Sequence, residues 1–330
     1  MLGKRTSRAL AGTAAVLIAA TGCGSGSGPG SGSAAASPPV TPPPAITAVP
    51  AVADMGSAQL PVAQYMLTPL QGAQATWLQD QAVRACMARF GFDYPAAQAA
   101  PTAATGWIAS YSVMYRRYGI SDAAQVHTWG YHAPSDTLAG SGSAGAQTTA
   151  KSALMPTGAL AEVLEGATPD GKTLATYQGT AVPNGGCAGE GSRLFPEMAS
   201  PQGPGTASGQ PLAEVKSDSF TDSQNDPRLR PVVAAWQSCM AAAGYHVSAD
   251  PLNAPVNLAS MNAPNPDAAE IAMAEADVAC RTKTDLAGHW FALESDYQNT
   301  AISHMTSTFQ SIKEQRDAVA QRISNLLKQP

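Results

Sequence analysis

One seven-residue pattern occurs twice in the chain, and each copy places a cysteine close to the end of a helix. The copies run from Cys86 to Phe92 (CMARFGF) and from Cys239 to Tyr245 (CMAAAGY). A glycine in this position enters the left-handed backbone region and ends a helix, and the residue after it packs back on the last turn. The repeat therefore predicts two related helical halves, each with a capped helix end in which the methionine contacts the final aromatic residue.

The N-terminus has the anatomy of a secretory leader. Lys4, Arg5 and Arg8 precede an apolar stretch over 9–20, which is too short to cross a bilayer core of about 30 Å as a helix. The sequence ATGC, ending at Cys23, follows directly and resembles the lipobox of bacterial lipoproteins. This resemblance implies cleavage before Cys23 and a lipid on its thiol, which would anchor the mature chain at the outer face of the bacterial cytoplasmic membrane. The alternative is a secreted protein in which this cysteine is incidental.

A tether and an internal linker divide the rest of the chain. No charged residue occurs over 24–50, where Gly, Ser, Ala and Pro predominate, and such a composition cannot bury a core. The internal boundary is expected at the Gly/Pro-rich run 201–210 (PQGPGTASGQ). The predicted organisation is a signal peptide over 1–22, a disordered tether over 23–58, a first helical half with loops over 59–200, a linker with a short helix over 201–225 and a second helical half over 226–330.

Four cysteines remain once Cys23 is set aside: Cys86, Cys187, Cys239 and Cys280. An even number of thiols outside the cell is most simply explained by disulfides, and four cysteines allow three pairings. We predict Cys86–Cys187 and Cys239–Cys280, one disulfide in each half. The next alternative joins the repeated helix ends, Cys86–Cys239, and leaves Cys187 with Cys280.

The fold class is expected to be mainly α, with at most a small β hairpin over 172–182 and short helices after Asp122 and over 160–164. A helix should start at Pro231. Another should open at Asn265-Pro266 with a small-residue face. That face consists of Ala269, Met273, Ala276 and Cys280.

The longest predicted helix runs over 290–327. Its apolar residues recur at a spacing of three and four, which keeps one stripe of the helix apolar. The stripe is expected to pack on the protein's own helices, with self-association or docking on an envelope protein as the alternative. It consists of Ile302, Met305, Phe309, Ile312, Val319, Ile323 and Leu326.

Charge and composition restrict the partners. Only 13% of residues are charged, the formal net charge is −5, and loss of the three basic leader residues leaves the mature chain near −8. A mildly acidic chain without a basic run does not favour binding to nucleic acid or docking on anionic lipid. Membrane contact is therefore expected through the lipid anchor alone.

No familiar catalytic or cofactor motif appears in the sequence, and we predict no cofactor, metal site or catalytic residue. His127 and His132 lie five residues apart and share a helix face poorly, and the other histidines are isolated. Glu190, in GGCAGEG, is best explained as an acidic residue in the first turn of a helix, with a catalytic carboxylate as the alternative.

An aromatic cluster is the one candidate ligand surface. Aromatic rings stack on sugars and cell-wall material, but they also fill protein cores, which is the favoured interpretation here. The candidate surface consists of Trp107, Tyr111, Tyr115, Trp129 and Tyr131, with Tyr118 close by in sequence.

The body of the chain resembles uncharacterised lipoproteins of actinobacteria in three segments, 117–120 (RYGI), 185–190 (GGCAGE) and 236–245 (WQSCMAAAGY). This resemblance implies the extracytoplasmic compartment and no particular activity. The leading hypothesis is a non-enzymatic interaction or structural role in the cell envelope. The alternatives are a cell-envelope hydrolase that uses a carboxylate and a solute-binding lipoprotein of an importer.

Overall fold

Helices dominate the described part of the chain, and a short antiparallel hairpin supplies its strands, as the fold-class prediction required. The computed structural model describes residues 55, 58–110, 112–134, 157–199, 210–253 and 263–329. All of these belong to one unit, Pro44–Pro330, and the other unit, Met1–Pro43, lies outside the described residues. Cys23, the predicted signal peptide, most of the tether and most of the internal boundary also fall outside them.

A 3₁₀ helix over Pro61–Tyr65 comes first. Strands β1 (Thr176–Tyr177) and β2 (Thr180–Ala181) form the hairpin within the predicted range, with Thr176 opposite Ala181. The α-helices are α1 Pro69–Arg89, α2 Trp107–Ser110, α3 Ala123–Trp129, α4 Ala159–Glu165, α5 Gly186–Ser192, α6 Pro196–Ala199, α7 Gln210–Asn225, α8 Arg230–Ala242, α9 Ala268–Thr284, α10 Leu286–His304 and α11 Thr306–Leu326.

Local sequence accounts for several helix starts. Thr68 and Gln71 form a reciprocal capping box ahead of α1. The side chain of Asp122 accepts the first free N–H groups of α3, as expected. The N-cap of α9 lies two residues after the predicted one. Asp267, rather than Asn265, accepts the N–H of Glu270 at 2.8 Å. A carboxylate at that position also complements the positive end of the helix dipole.

Both copies of the repeat end their helices as predicted. In the first, Gly91 has φ +78°, and the N–H of Phe92 bonds the carbonyl of Met87 at 3.1 Å. In the second, Gly244 has φ +91°, and Tyr245 bonds Met240 in the same way at 2.9 Å. This is the bond of a Schellman helix end. The repeat therefore encodes one local structure at two places in the chain.

We expect Gly244→Ala to lower the free energy of unfolding by about 1–2 kcal/mol, because a side chain disfavours the left-handed backbone. A steric clash is not the cause, since a Cβ on Gly244 would meet no atom within 4 Å. Urea unfolding measures the loss. Gly72→Ala, inside α1 and equally open, is the matched control and should gain about 0.5–1 kcal/mol. Equal effects of the two substitutions would contradict this explanation.

The two disulfides pair as predicted. Cys86 bonds Cys187 with a Cα–Cα distance of 5.5 Å, and Cys239 bonds Cys280 with a Cα–Cα distance of 5.6 Å. The first joins the end of α1 to the start of α5, and the second joins the end of α8 to α9. The alternative that links the two repeated helix ends is wrong.

Glycines let α5 approach its neighbours closely enough for the first disulfide. A Cβ on Gly186 would lie 2.3 Å from the carbonyl oxygen of Leu164. A Cβ on Gly191 would lie 2.7 Å from Cγ2 of Val83. The segment GGCAGEG thus packs backbone against α4 and α1, which only glycine permits at such distances.

The two halves share one hydrophobic core. Met114 and Tyr118 of the first half are buried in the same cluster as Trp236, Met240 and Trp290 of the second. Separate clusters lie around the first disulfide, between α1 and α11, and between α3 and α9. The halves are therefore related in local sequence, and one hydrophobic cluster contains residues of both.

The C-terminal segment is two helices, and the prediction of one helix over 290–327 is wrong. The backbone leaves the helical region at Met305 (φ −122°, ψ 35°), between α10 and α11. The break allows α10 to pack on α7 while α11 packs on α1 and the 3₁₀ helix. The apolar stripe faces inward, with Phe309, Ile312, Val319 and Ile323 all buried, so the expected packing on the protein's own helices is confirmed.

The small-residue face predicted for α9 is only partly correct. Cys280 is buried, but Ala269 is exposed and Met273 and Ala276 are half-buried. The buried face is turned toward α3 and α8 and carries three charged side chains. Its residues are Glu270, Ala274, Asp277, Val278, Cys280 and Arg281. Charged side chains on an inward face require hydrogen-bonding or ionic partners.

Candidate functional site

Three buried carboxylates lie where the segment 112–134 meets the second half of the chain. Glu270 and Asp277 are two helical turns apart on α9, and Glu294 is on α10. Their side chains are at most 1% exposed. A buried charge is tolerated only when it is paired and hydrogen-bonded, and each of the three is held by a partner from this segment.

Glu294 is bound mainly by Arg117. The Nε of Arg117 lies 3.0 and 2.8 Å from the two carboxylate oxygens, and its Nη2 also donates to Glu294. The hydroxyl of Tyr118 donates to the same carboxylate at 2.8 Å. Ser219 and Gln298 complete the set at 3.2 and 2.9 Å. The guanidinium also lies over the ring of Phe220, so this ion pair is enclosed by aromatic and polar partners.

Asp277 is the second centre. It accepts from Nε of Arg281, one turn further along α9, and from Nε1 of Trp236, both at 2.7 Å. The hydroxyl of Tyr131 donates to it at 3.1 Å. Arg281 in turn donates to the carbonyl of Tyr118 at 2.6 Å. One carboxylate therefore connects α8, α9 and the segment 112–134.

Glu270 is the third centre, and it lies beside two backbone groups. One oxygen of Glu270 accepts the N–H of Tyr131 at 2.9 Å and lies 2.8 Å from Nδ1 of His132. The guanidinium of Arg116 donates to the carbonyls of Tyr131 and His132, each at 2.6 Å. The turn at 131–132 is thus held between the half-buried cation of Arg116 and the buried anion of Glu270.

Burial and the neighbouring carboxylates shift the titration of the groups in this network. Burial, reinforced by Glu294, raises the pKa of Tyr118 far above its ordinary value, and burial with Asp277 does the same to the pKa of Tyr131. Both phenols are therefore neutral donors to their carboxylates. Burial lowers the pKa of Arg116. The network consists of fixed, hydrogen-bonded charges whose main effect is to cross-link three helices to the segment 112–134.

The residues of the predicted aromatic surface lie in different environments. Tyr131 is 6% exposed and its hydroxyl donates to Asp277, so it belongs to the core, in agreement with the favoured interpretation. Tyr115 and Trp129 are half-buried, and Tyr115 lies against the guanidinium of Arg116. Trp107 begins α2, but its side chain and all of Tyr111 lie outside the described residues. A ligand surface at these positions stays a prediction.

Glu190 does not lie in the first turn of a helix. It lies beyond the first turn of α5, and its carboxylate forms a surface ion pair with Arg89 of α1 at 2.6 Å. The explanation through the first turn is therefore wrong. The ion pair instead joins the two helices already linked by Cys86–Cys187.

The histidines differ in how exposed they are. His127 lies on the surface, 2.6 Å from Glu275, and His246 and His304 are exposed. His289 contacts the carbonyl of Asp285 at 2.8 Å. His132 is half-buried, and its Nδ1 lies 2.8 Å from the buried carboxylate of Glu270. Within the described ranges, no three His, Cys, Asp or Glu side chains are placed to hold a metal ion.

Sequence reasoning missed the buried ion pairs. Arg117 and Tyr118 belong to the quoted RYGI segment, but their partner Glu294 lies 177 and 176 residues away along the chain. On α9 a signal was present, since Glu270, Asp277 and Arg281 recur at helical spacing on one face. Charged residues at such spacing are ordinarily solvated, so this signal indicates a buried face only once the neighbours are known.

Comparison of the chain with protein-family models, with curated proteins and with solved structures gave no match. No helix in the described ranges is both long and apolar enough to span a bilayer. The function therefore has to be argued from the residues themselves.

Proposed function

We propose that the protein is a lipid-anchored component of the bacterial cell envelope, held at the outer face of the cytoplasmic membrane, whose helical body has an interaction or structural role. The observation that carries this proposal is the pairing of all four cysteines after Cys23 into two disulfides. Disulfides of this kind persist in oxidising compartments and are rare in the cytosol. They agree with the lipobox-like leader, which is an independent feature of the chain.

The ionic network supports a structural or interaction role for the body. Arg117, Asp277 and Arg281 each bond partners from at least two separate segments, so the segment 112–134 is fixed against α9 and α10. Satisfied buried networks of this kind make a domain rigid. A rigid body on the predicted tether suits a protein that presents a surface to an envelope or cell-wall partner.

Metabolic labelling with palmitate tests the anchor. The full-length chain should incorporate label and sediment with membranes, and Cys23→Ala should do neither, because the lipid is attached only through that thiol. Ser25→Ala, two residues away, is the matched control and should behave like the unmodified chain. An unlabelled chain released into the medium would contradict the anchor and leave a secreted protein.

An assay on purified peptidoglycan distinguishes the hydrolase alternative from the interaction role. A hydrolase that uses Glu190 should lose turnover in Glu190→Gln, while Glu165→Gln, on the exposed end of α4, leaves turnover unchanged. If the protein sediments with peptidoglycan but does not hydrolyse it, and both variants behave in the same way, the interaction role is supported. The importer alternative is disfavoured, because solute-binding proteins of that kind alternate strands and helices, whereas the described residues contain helices and one hairpin.

A further inference from the structure

We propose that Phe92, Tyr177 and Gln178 form a contact surface for an N-acetylated hexosamine of the cell-wall glycan. Phe92 and Tyr177 pack against the cluster around the first disulfide, where the end of α1 meets the hairpin, and Gln178 is in the turn of that hairpin. None of these residues belongs to the aromatic cluster over 107–131. The inference rests on the proposed interaction role, for which it names a site and a ligand class.

Two aromatic rings supply the apolar part of the surface. The ring centroids of Phe92 and Tyr177 are 5.5 Å apart, and the rings are inclined by 38°. Phe90, which is 7% exposed, packs edge-on against Tyr177 at 6.4 Å. Phe92 and Tyr177 are half-buried, so the core fixes each side chain while part of it stays accessible. Rings held in this way can stack on the C–H face of a pyranose with little loss of side-chain entropy.

The hairpin places polar groups next to the ring of Tyr177. Tyr177 pairs with Thr180 across the two strands, so the ring and the exposed Thr180 share one face. The side-chain nitrogen of Gln178 donates to the hydroxyl of Tyr177 at 3.2 Å. Because a carboxamide has a second N–H and an oxygen acceptor, Gln178 can also donate to and accept from the acetamido group of a hexosamine.

The backbone of Gln178 is strained, and this strain is the second indication of a ligand site. Gln178 and Gly179 connect the strands with φ +46° and φ +81°, the two positive values of a type I′ turn. Such turns favour Asn or Gly at the first position, because most side chains disfavour the left-handed backbone. Local folding therefore does not explain a glutamine here. Strained residues of this kind cluster at ligand sites.

The charges near the surface compensate each other, which favours a neutral ligand. Arg89, in the last turn of α1, pairs with Glu190 at 2.6 Å. In the loop before the hairpin, Lys172 pairs with Asp170 at 2.6 Å. The exposed Asp93, which follows the first copy of the repeat, adds one negative charge. Such a balance does not attract lipid or nucleic-acid phosphates, whereas an N-acetylated hexosamine carries no charge.

The first experiment is an NMR titration of the oxidised full-length chain with a trisaccharide of N-acetylglucosamine. We expect saturable chemical-shift changes at Phe92, Tyr177 and Gln178. Maltotriose has the same pyranose rings but no acetamido group, and it should bind about tenfold more weakly, since it leaves the carboxamide without its partner. The absence of shifts at these three residues would overturn the site, and equal binding of both sugars would overturn the ligand class.

The second experiment compares the two copies of the repeat. Phe92→Ala should weaken binding of the trisaccharide by up to about tenfold, because one stacking ring is lost. Tyr245→Ala is the matched control, since Tyr245 is the counterpart of Phe92 and packs on the main core instead, and it should bind like the unsubstituted chain. Equal losses in the two variants would contradict the site.

Gln178→Gly separates binding from folding. Glycine relieves the left-handed backbone, so the midpoint of urea unfolding should rise or stay the same. The affinity for the trisaccharide should nevertheless fall by about threefold or more, because the carboxamide is lost. Unchanged affinity would show that Gln178 has no part in binding. If Phe92→Ala does not fold, this variant and the titration of the unsubstituted chain still decide the question.

Sedimentation with purified peptidoglycan distinguishes a failure of this inference from a failure of the proposed function. If the chain sediments with peptidoglycan but does not bind the trisaccharide, the site is wrong and the interaction role stands. If the chain neither sediments nor incorporates palmitate, the proposed function fails. Binding of the trisaccharide by the purified chain would still support the site in that case.

Discussion

Arg117→Ala should lower the free energy of unfolding by about 3–5 kcal/mol, the cost of breaking a buried ion pair by removing one partner. Glu294 is 0% exposed and would be left as a buried carboxylate without its cation. The substitution also removes the guanidinium that lies over Phe220 and bonds the carbonyl of Lys216. Urea unfolding of the oxidised chain at pH 7 measures the loss.

Two comparisons isolate the cause. Arg89→Ala breaks the surface ion pair with Glu190 and should cost less than about 1 kcal/mol, because solvent screens exposed pairs. The double variant Arg117→Met with Glu294→Met leaves no buried charge and should recover much of the loss. If Arg117→Ala and Arg89→Ala cost the same, the Glu294 pair does not have the energetic role assigned to it.

Removal of the disulfide between Cys86 and Cys187 by paired alanine substitutions should cost about 2–5 kcal/mol. The bond closes a loop with a sequence separation of 101, and a longer loop gives the unfolded chain more entropy when it is opened. Both cysteines are fully buried, so the substitutions also remove packed sulfur atoms. Denaturant unfolding of the double variant against the oxidised chain measures the effect.

The second disulfide provides the comparison. Cys239 and Cys280 are separated by 41 residues, so on the same model their removal should cost roughly 0.8 kcal/mol less than removal of the first. Reduction of both disulfides in the unsubstituted chain should lower the free energy of unfolding by the sum of the losses in the two double variants. Any difference reflects the cavities that the alanine substitutions leave. Unfolding midpoints that do not move in either double variant would show that neither disulfide stabilises the fold.

The local features of this fold were predictable because their causes are local. The ends of α1 and α8 follow from a glycine with positive φ and the residue after it, which Gly91 and Gly244 show at two places. The cap of α3 at Asp122 depends on atoms three residues away. The disulfide pairing followed from assigning one bond to each repeat, and the two cysteine pairs do meet.

The candidate site was not predictable from such signals. Arg117 and Glu294 are each unremarkable in sequence, and their contact spans 177 residues. The same holds for His132, whose two ring contacts come from Glu270 and Ala263 far along the chain. An isolated histidine in a sequence is ordinarily exposed or structural, and only the folded chain shows which groups its ring contacts.

By itself, the sequence determined the helical class and the two capped helix ends and favoured the hairpin and the observed cysteine pairing, because each depends on backbone preferences or on a short, repeated pattern. The tertiary structure alone decided the break at Met305, the charged inward face of α9 and the ion pairs of segment 112–134. These depend on which surfaces meet when the two halves form one core. Burial turns ordinary charged residues into fixed pairs, and burial is a property of the assembled fold rather than of any single segment.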